Sequence, residues 1–211
     1  MSLSEEVNSK LQDEFWSHNE SYITRNTSFD TSLGIRAWKQ ILSGISEDIS
    51  SVLDCGSNIG RNIGMLMNEE LLPNASYTAV DINADALKVL KGSFPGVNIL
   101  HSNLLNLQME SVFDLVFTSG VLIHLQPKTL ESIYRNLISW TRKYLIMIEY
   151  FNKTPVEISY RGSNGLLWKR DFGREFLELS GWQVHSYGFL WGHEFETAGF
   201  DDTTYWVFRR T

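Results

Sequence analysis

Between Ser51 and Glu149 short apolar runs alternate with stretches of helical periodicity, and nothing else in the chain limits its fold so strongly. Ser51–Cys55, Tyr77–Ile82, Val97–His101, Phe113–Thr118 and Tyr144–Glu149 read as strands; Gly60–Leu71, Ala84–Lys91 and Pro127–Trp140 read as helices. Strands joined through helices must run parallel by right-handed crossovers, so the pattern predicts a doubly wound α/β domain with helices on both faces of the sheet. A helix over Arg170–Leu179 is followed by two strand-like runs, Trp182–Leu190 and Thr204–Arg210, with no helix expected between them. They predict a closing antiparallel hairpin on a mostly parallel, seven-stranded sheet. Two further helices, Ser4–Trp16 and Ser32–Leu42, precede the first strand.

A length of 211 residues suits one domain with one core, and 43% hydrophobic against 20% charged residues supports complete folding. The net charge of -7 would repel a phosphate backbone, which argues against nucleic acid as a partner. Cys55 is the only cysteine, so no intrachain disulfide forms, the clusters that structural zinc needs are missing, and no metal is expected. No apolar run reaches the roughly 18 to 20 residues of a membrane span, and Met1 to Lys10 is polar and acidic. A cytoplasmic protein without membrane contact is the expectation; oligomeric state is not readable.

The first strand-to-helix junction, Val52-Leu53-Asp54-Cys55-Gly56-Ser57-Asn58-Ile59-Gly60, passes through a turn of small residues. Gly56 lets a ligand approach the backbone, Asn58 tolerates positive φ, and Gly60 permits close packing of helix on strand. Asp54, at the strand end, would repel a pyrophosphate but suits a ligand bearing an amino group and a sulfonium. The motif therefore favours S-adenosylmethionine over NAD, with Asp54, Gly56, Ser57, Asn58 and Gly60 as binding residues, although a plain strand-turn-helix junction would read the same way. Asp81 closes the second strand, where a carboxylate accepts from both ribose hydroxyls; the competing role is to cap the helix that begins at Ala84. Ile82 adjoins it. After the third strand Asn103 can accept from an adenine amino group through its side-chain carbonyl, with Leu104 next to it, and Ser119 and Gly120 follow the fourth strand.

Phe113-Asp114-Leu115-Val116-Phe117, small residues, then Val121-Leu122-Ile123-His124-Leu125 resemble the fourth-strand signature of class I methyltransferases. That resemblance implies a Rossmann-like fold. Phe15 to Asn26, Ile148 to Gly162 and Leu167 to Phe176 are similar to the pseudaminic-acid-biosynthesis-associated methylase family. The likeness spans nearly the whole chain and implies an enzyme of bacterial surface-sugar or nonulosonic-acid metabolism. The expected organisation is a helical cap or lid over residues 1–45, a cofactor-binding core over 50–150, and an acceptor-side segment with the terminal hairpin over 151–211.

Ligands of open α/β sheets bind outside the carboxyl ends of the strands, which places the acceptor near Tyr150 and Asn152. Tyr160, Arg161, Lys169 and Arg170 collect polar groups near the same rim of an acidic chain, and with the aromatic faces they suggest a small, anionic, hydroxyl-rich acceptor. A solvated loop of paired charges is the plain alternative. Transfer to a hydroxyl needs a base: His124 is the first candidate, Glu149 and Asp171 the next. In the polar and aromatic Tyr22 to Asn26 run, Arg25 is expected to pair the methionine carboxylate and Tyr22 to cover the site. The segment Trp191 to Phe200, with His193, could form a rim. Two rivals stand: an NAD-dependent oxidoreductase and a non-catalytic module that binds S-adenosylmethionine.

Overall fold

The computed structural model describes residues 12–18, 23–24 and 27–211. Its main sheet has seven strands: β1 Ser51–Cys55, β2 Ser76–Asp81, β3 Asn98–His101, β4 Phe113–Ser119, β5 Thr141–Glu149, β8 Gln183–Leu190 and β9 Thr203–Arg209. Their order is β3-β2-β1-β4-β5-β9-β8. β1 pairs in parallel with both β2 and β4, β5 continues the parallel run beside β4, and β9 lies antiparallel between β5 and β8. β1 and β4 thus flank the point where the strand order reverses, and their carboxyl ends open there.

The alternation of side chains along each strand feeds two cores. Val52, Phe117 and Ile146 point to one face, where α1 (Thr31–Ile41), α2 (Arg61–Leu66) and α3 (Ala84–Ser93) cover them with Trp38, Ile63 and Leu90. Leu53, Val116, Leu145 and Met147 point to the other, under α4 (Leu130–Trp140) and α5 (Phe172–Ser180), which contribute Tyr134, Leu137, Phe172 and Phe176. β4 and β5 are buried along nearly their full length, which explains why they read as unbroken apolar runs. Each large side chain sealed in these layers contributes about 1.5 to 3 kcal/mol of transfer free energy.

Several expected boundaries move, each for a local reason. The helix expected over Gly60–Leu71 ends at Leu66 because Asn68 accepts a hydrogen bond from the Glu70 N–H (3.0 Å) and Leu72 N–H returns to the Leu66 carbonyl (2.9 Å), closing a turn. Pro127 opens a single 3-10 turn before α4 begins at Leu130. The helix expected from Arg170 starts at Phe172, since Asp171 caps it by accepting from Arg174 N–H (3.0 Å). β8 and β9 do pair antiparallel, but the arc between them carries a one-turn helix α6 (Gly192–Phe195) and a 3-10 turn (Glu196–Ala198), so the link without a helix is corrected. A separate two-stranded sheet, β6 (Val156–Glu157) with β7 (Trp168–Lys169), was not anticipated; two residues per strand are too few to show a period. Part of the expected Ser4–Trp16 helix lies outside the described residues; residues 12–17 are helical. Among the described residues no helix is long and apolar enough to cross a membrane.

Candidate functional site

Two lobes of one cleft open at the carboxyl ends of β1 and β4, meeting at Gly56, Gly120 and His124. The turn after β1 is held tight: Gly56 N–H and Ser57 N–H both donate to the Val80 carbonyl (2.8 and 2.9 Å). Gly56 has φ +83°, and a Cβ there would meet Val121 Cγ2 at 2.4 Å, so the position needs glycine for both conformation and space. Asn58 also takes positive φ (49°), as its residue type allows, and its N–H donates to Asp81 Oδ2 (2.7 Å).

Asp81 accepts from Asn83 N–H through its other oxygen (2.8 Å) and lines the first lobe at 4% exposure. Burial pushes its carboxyl up, opposed by the N–H bonds from Asn83 and Asn58. The capping alternative for Asp81 fails, because Asn83 is the cap of α3 and accepts from the N–H groups of Asp85 and Ala86 (3.1 and 2.9 Å). Asp54 is almost wholly buried and, among the described residues, its Oδ2 has no hydrogen-bond partner. Burial first, then the neighbouring Asp81 charge, drives its carboxyl well above the ordinary range, and Arg61 counteracts this. Asp54 is not itself a wall of either lobe, yet two residues from Gly56 an orphaned carboxylate oxygen suits a cationic, amino-bearing ligand and not a pyrophosphate.

Of the other expected cofactor residues, Ile82, Asn103 and Leu104 line the first lobe and Ser57, Asn58 and Ser119 the second. Gly60 lines neither: at φ +85° it lets α2 start against Leu90 and Phe94 of the α3 region, a packing role. Asn103, expected to read the adenine through its carbonyl, is already engaged at both ends of its amide. Its Oδ1 accepts from Leu105 N–H (2.8 Å) and its Nδ2 donates to Asp13 Oδ1 (2.7 Å). Arg25 and Tyr22 lie outside the described residues.

Gln12, Asp13 and Trp16, which the sequence did not single out, complete the first lobe. Gln12 donates to the His124 carbonyl, Asn83 Nδ2 donates to the Trp16 carbonyl (3.1 Å), and the Trp16 ring lies 4.4 Å from the His124 ring. Helical spacing was the one signal for these residues; which face of the helix meets the cleft depends on packing. The second lobe adds Arg61, Asn62 and Asp201, also unforeseen as site residues. Asp201 accepts from the Tyr150 hydroxyl (3.2 Å). The rim expected from Trp191 to Phe200 is met only at its end, by Gly199 and Phe200, while His193 packs at a tilt against Trp191 (ring centres 4.6 Å apart).

His124 lines both lobes. Its Nδ1 faces the Leu166 carbonyl at 2.7 Å, and since a carbonyl can only accept, Nδ1 carries a proton, which in the neutral ring makes Nε2 the basic nitrogen. Tyr160 packs edge-on against it at 5.1 Å.

Several expected acceptor and catalytic residues are not brought together. Glu149 is fully buried and receives the N–H groups of Val121, Leu122 and Ile123 at 3.1 to 3.3 Å, so it anchors the turn carrying His124 and is corrected from a catalytic to a structural carboxylate. Burial raises it to about 7 against the pull of those N–H groups. Asp171 is consumed in capping α5. Arg170 pairs with Glu175 (2.8 Å), and Asn152 donates to the Thr154 carbonyl (2.5 Å) outside the cleft. Arg161 sits in a turn at φ 53° with its guanidinium 5.7 Å from the Tyr160 ring, and Lys169 lies 4.8 Å from the Tyr150 ring; neither lines a lobe. Among the described residues, Arg61 is the arginine or lysine on the wall of the second lobe.

Residues 52–143 match the family model described as a methyltransferase domain. No curated protein matches the chain by sequence. Among solved structures, the chain is similar to 1,6-didemethyltoxoflavin-N1-methyltransferase from Burkholderia thailandensis, with bound S-adenosylhomocysteine, at TM-score 0.71 and 14% identity over 100% of this chain and 92% of that one. It is also similar to magnesium protoporphyrin IX methyltransferase from Synechocystis PCC 6803, with bound SAH, at TM-score 0.69 and 16% identity over 97% and 99% of the two chains. The N-methyltransferase NodS from Bradyrhizobium japonicum WM9, in complex with S-adenosyl-l-homocysteine, follows at TM-score 0.65 and 14% identity over 96% and 98%. The seven-stranded sheet with its antiparallel end is the Rossmann-like methyltransferase fold.

Proposed function

We propose that the chain is an S-adenosylmethionine-dependent methyltransferase that methylates a hydroxyl oxygen of a small polar acceptor, with His124 as the base. The enzyme class and cofactor are supported by the methyltransferase-domain match and by the fold. They are supported too by the orphaned Asp54 oxygen beside the Gly56 turn. Asp81, Ile82, Leu104 and the segment around Asp13 would hold the adenosyl part, and Asp54, Ser57 and Asn58 the amino-acid part. When bound, the cofactor supplies an electrophilic methyl group on sulfur.

The observation that carries the acceptor reading is the position and tautomer of His124: it stands where the two lobes meet, with its basic nitrogen set by the Leu166 carbonyl. A sugar-type hydroxyl is a poor nucleophile at neutral pH and needs such a base. Tyr150 and Tyr160 give the second lobe flat faces for a ring, and Asn62, Arg61 and Asp201 give it polar anchors. A small sugar or nonulosonic-acid-related metabolite of bacterial surface polysaccharide synthesis fits this mixture, and Arg61 takes the anion-binding part expected of Arg161, Lys169 and Arg170. The helical segment 12–17 acts as a lid that excludes water from the first lobe.

Formation of S-adenosylhomocysteine should be followed with activated sugars, nonulosonic acids and amines as acceptors. His124→Ala should lower kcat with the hydroxyl acceptor roughly 100-fold or more while S-adenosylhomocysteine affinity holds. Preference for an amine, or an unimpaired variant, would end the hydroxyl reading; cofactor binding without turnover on any acceptor would favour a non-catalytic module.

A further inference from the structure

We infer that Asp13, carried on the N-terminal segment and not on the sheet, is the group that reads the exocyclic amino group of the cofactor's adenine ring, and that Asn103 serves to aim it. The inference rests on the cofactor reading above. Asn103 is the loop residue whose carbonyl was expected to read the adenine, but that oxygen already accepts from Leu105 N–H at 2.8 Å, so one lone-pair direction at most is left to it, against three on the Asp13 carboxylate. A backbone N–H can only donate, so the amide orientation is set: Oδ1 faces Leu105, and Nδ2 faces outward. Asp13 Oδ1 receives Nδ2 at 2.7 Å.

The Asp13 carboxylate keeps acceptor capacity after that one bond, since each oxygen offers two lone-pair directions. Both side chains line the first lobe, next to Ser102 and Leu104 and on the wall that Asp81 shares. A carboxylate accepts from an N–H donor and repels the carbonyl lone pairs that hypoxanthine presents at the same ring position. Chain geometry supports this placement, because Gln12 is tied to the His124 carbonyl and Trp16 to Asn83, which brackets Asp13 on both sides. The consequence is that the group reading the adenine is borrowed from the segment that covers the core of the fold.

The test is calorimetric binding of S-adenosylhomocysteine and of S-inosylhomocysteine, its hypoxanthine counterpart, to the parent, Asp13→Ala and Asn103→Ala. The parent should prefer the adenine compound by roughly 10-fold to 100-fold, the range of a hydrogen bond to a charged group. Asp13→Ala should lose that preference, the adenine compound binding more weakly and the hypoxanthine compound no more weakly than to the parent. Asn103→Ala should reduce the preference only in part, since it removes the aim and keeps the acceptor. If Asp13→Ala keeps the parent's ratio between the two ligands, Asp13 does not read the base. If the parent binds neither compound, the cofactor reading itself fails, an outcome distinct from the first.

Discussion

Glu149 sits at the end of β5 with its carboxylate enclosed, and its three N–H partners belong to the turn that carries His124. Its carboxyl, ordinarily near 4.5, is raised to about 7 by burial, so the folded chain holds a proton there that the unfolded chain releases earlier. The associated stability is complete below about 4.5 and is lost as pH rises through about 7. Thermal melts between pH 5 and 8 should show the parent losing stability against Glu149→Gln, which cannot ionise, across that window. A parallel pH dependence in the two proteins would contradict the assignment. Glu149→Gln should also be less stable at pH 5 by about 1 to 3 kcal/mol, because its amide nitrogen cannot accept from the turn. As a side chain at a strand's carboxyl end Glu149 read as catalytic; only the fold shows that its oxygens are already used.

Elements carry their own consequences, clearest at α5. Asp171 satisfies an N–H that the first turn of a helix would leave open, and Arg170 beside it pairs with Glu175 on the same helix. Asp171→Ala should therefore cost about 1 kcal/mol of unfolding free energy and leave kcat and the acceptor KM unchanged. Chemical denaturation with parallel initial rates would check both halves; a large fall in kcat would restore Asp171 to the active site. The boundaries of such elements were partly legible. Strand cores and the middle of each helix follow hydrophobic period, whereas α2 stops early and α5 starts late through hydrogen bonds made by single side chains, Asn68 and Asp171. β6 and β7 carry too short a pattern to read.

At the scale of the molecule, the cleft draws on the turn after β1, the ends of β2, β4 and β5, the loop before β9 and the N-terminal segment. A ligand bridging them binds the folded chain and not the unfolded one. S-Adenosylhomocysteine at 100 times its Kd should stabilise the fold by about 2.7 kcal/mol and raise Tm by about 5 to 10 °C. Differential scanning fluorimetry would show it, with NAD giving no shift; a shift with NAD instead would reverse the cofactor reading. The sequence by itself determined the parallel core, the antiparallel end and the Gly56–Asn58 turn, because side-chain period and permitted φ are properties of neighbouring residues. Tertiary structure alone decided which charges serve the cleft. Arg170 finds Glu175, Glu149 finds the turn N–H groups, and Asp13 crosses ninety residues of sequence to meet Asn103, because hydrogen-bond partners distant along the chain are chosen by packing and desolvation.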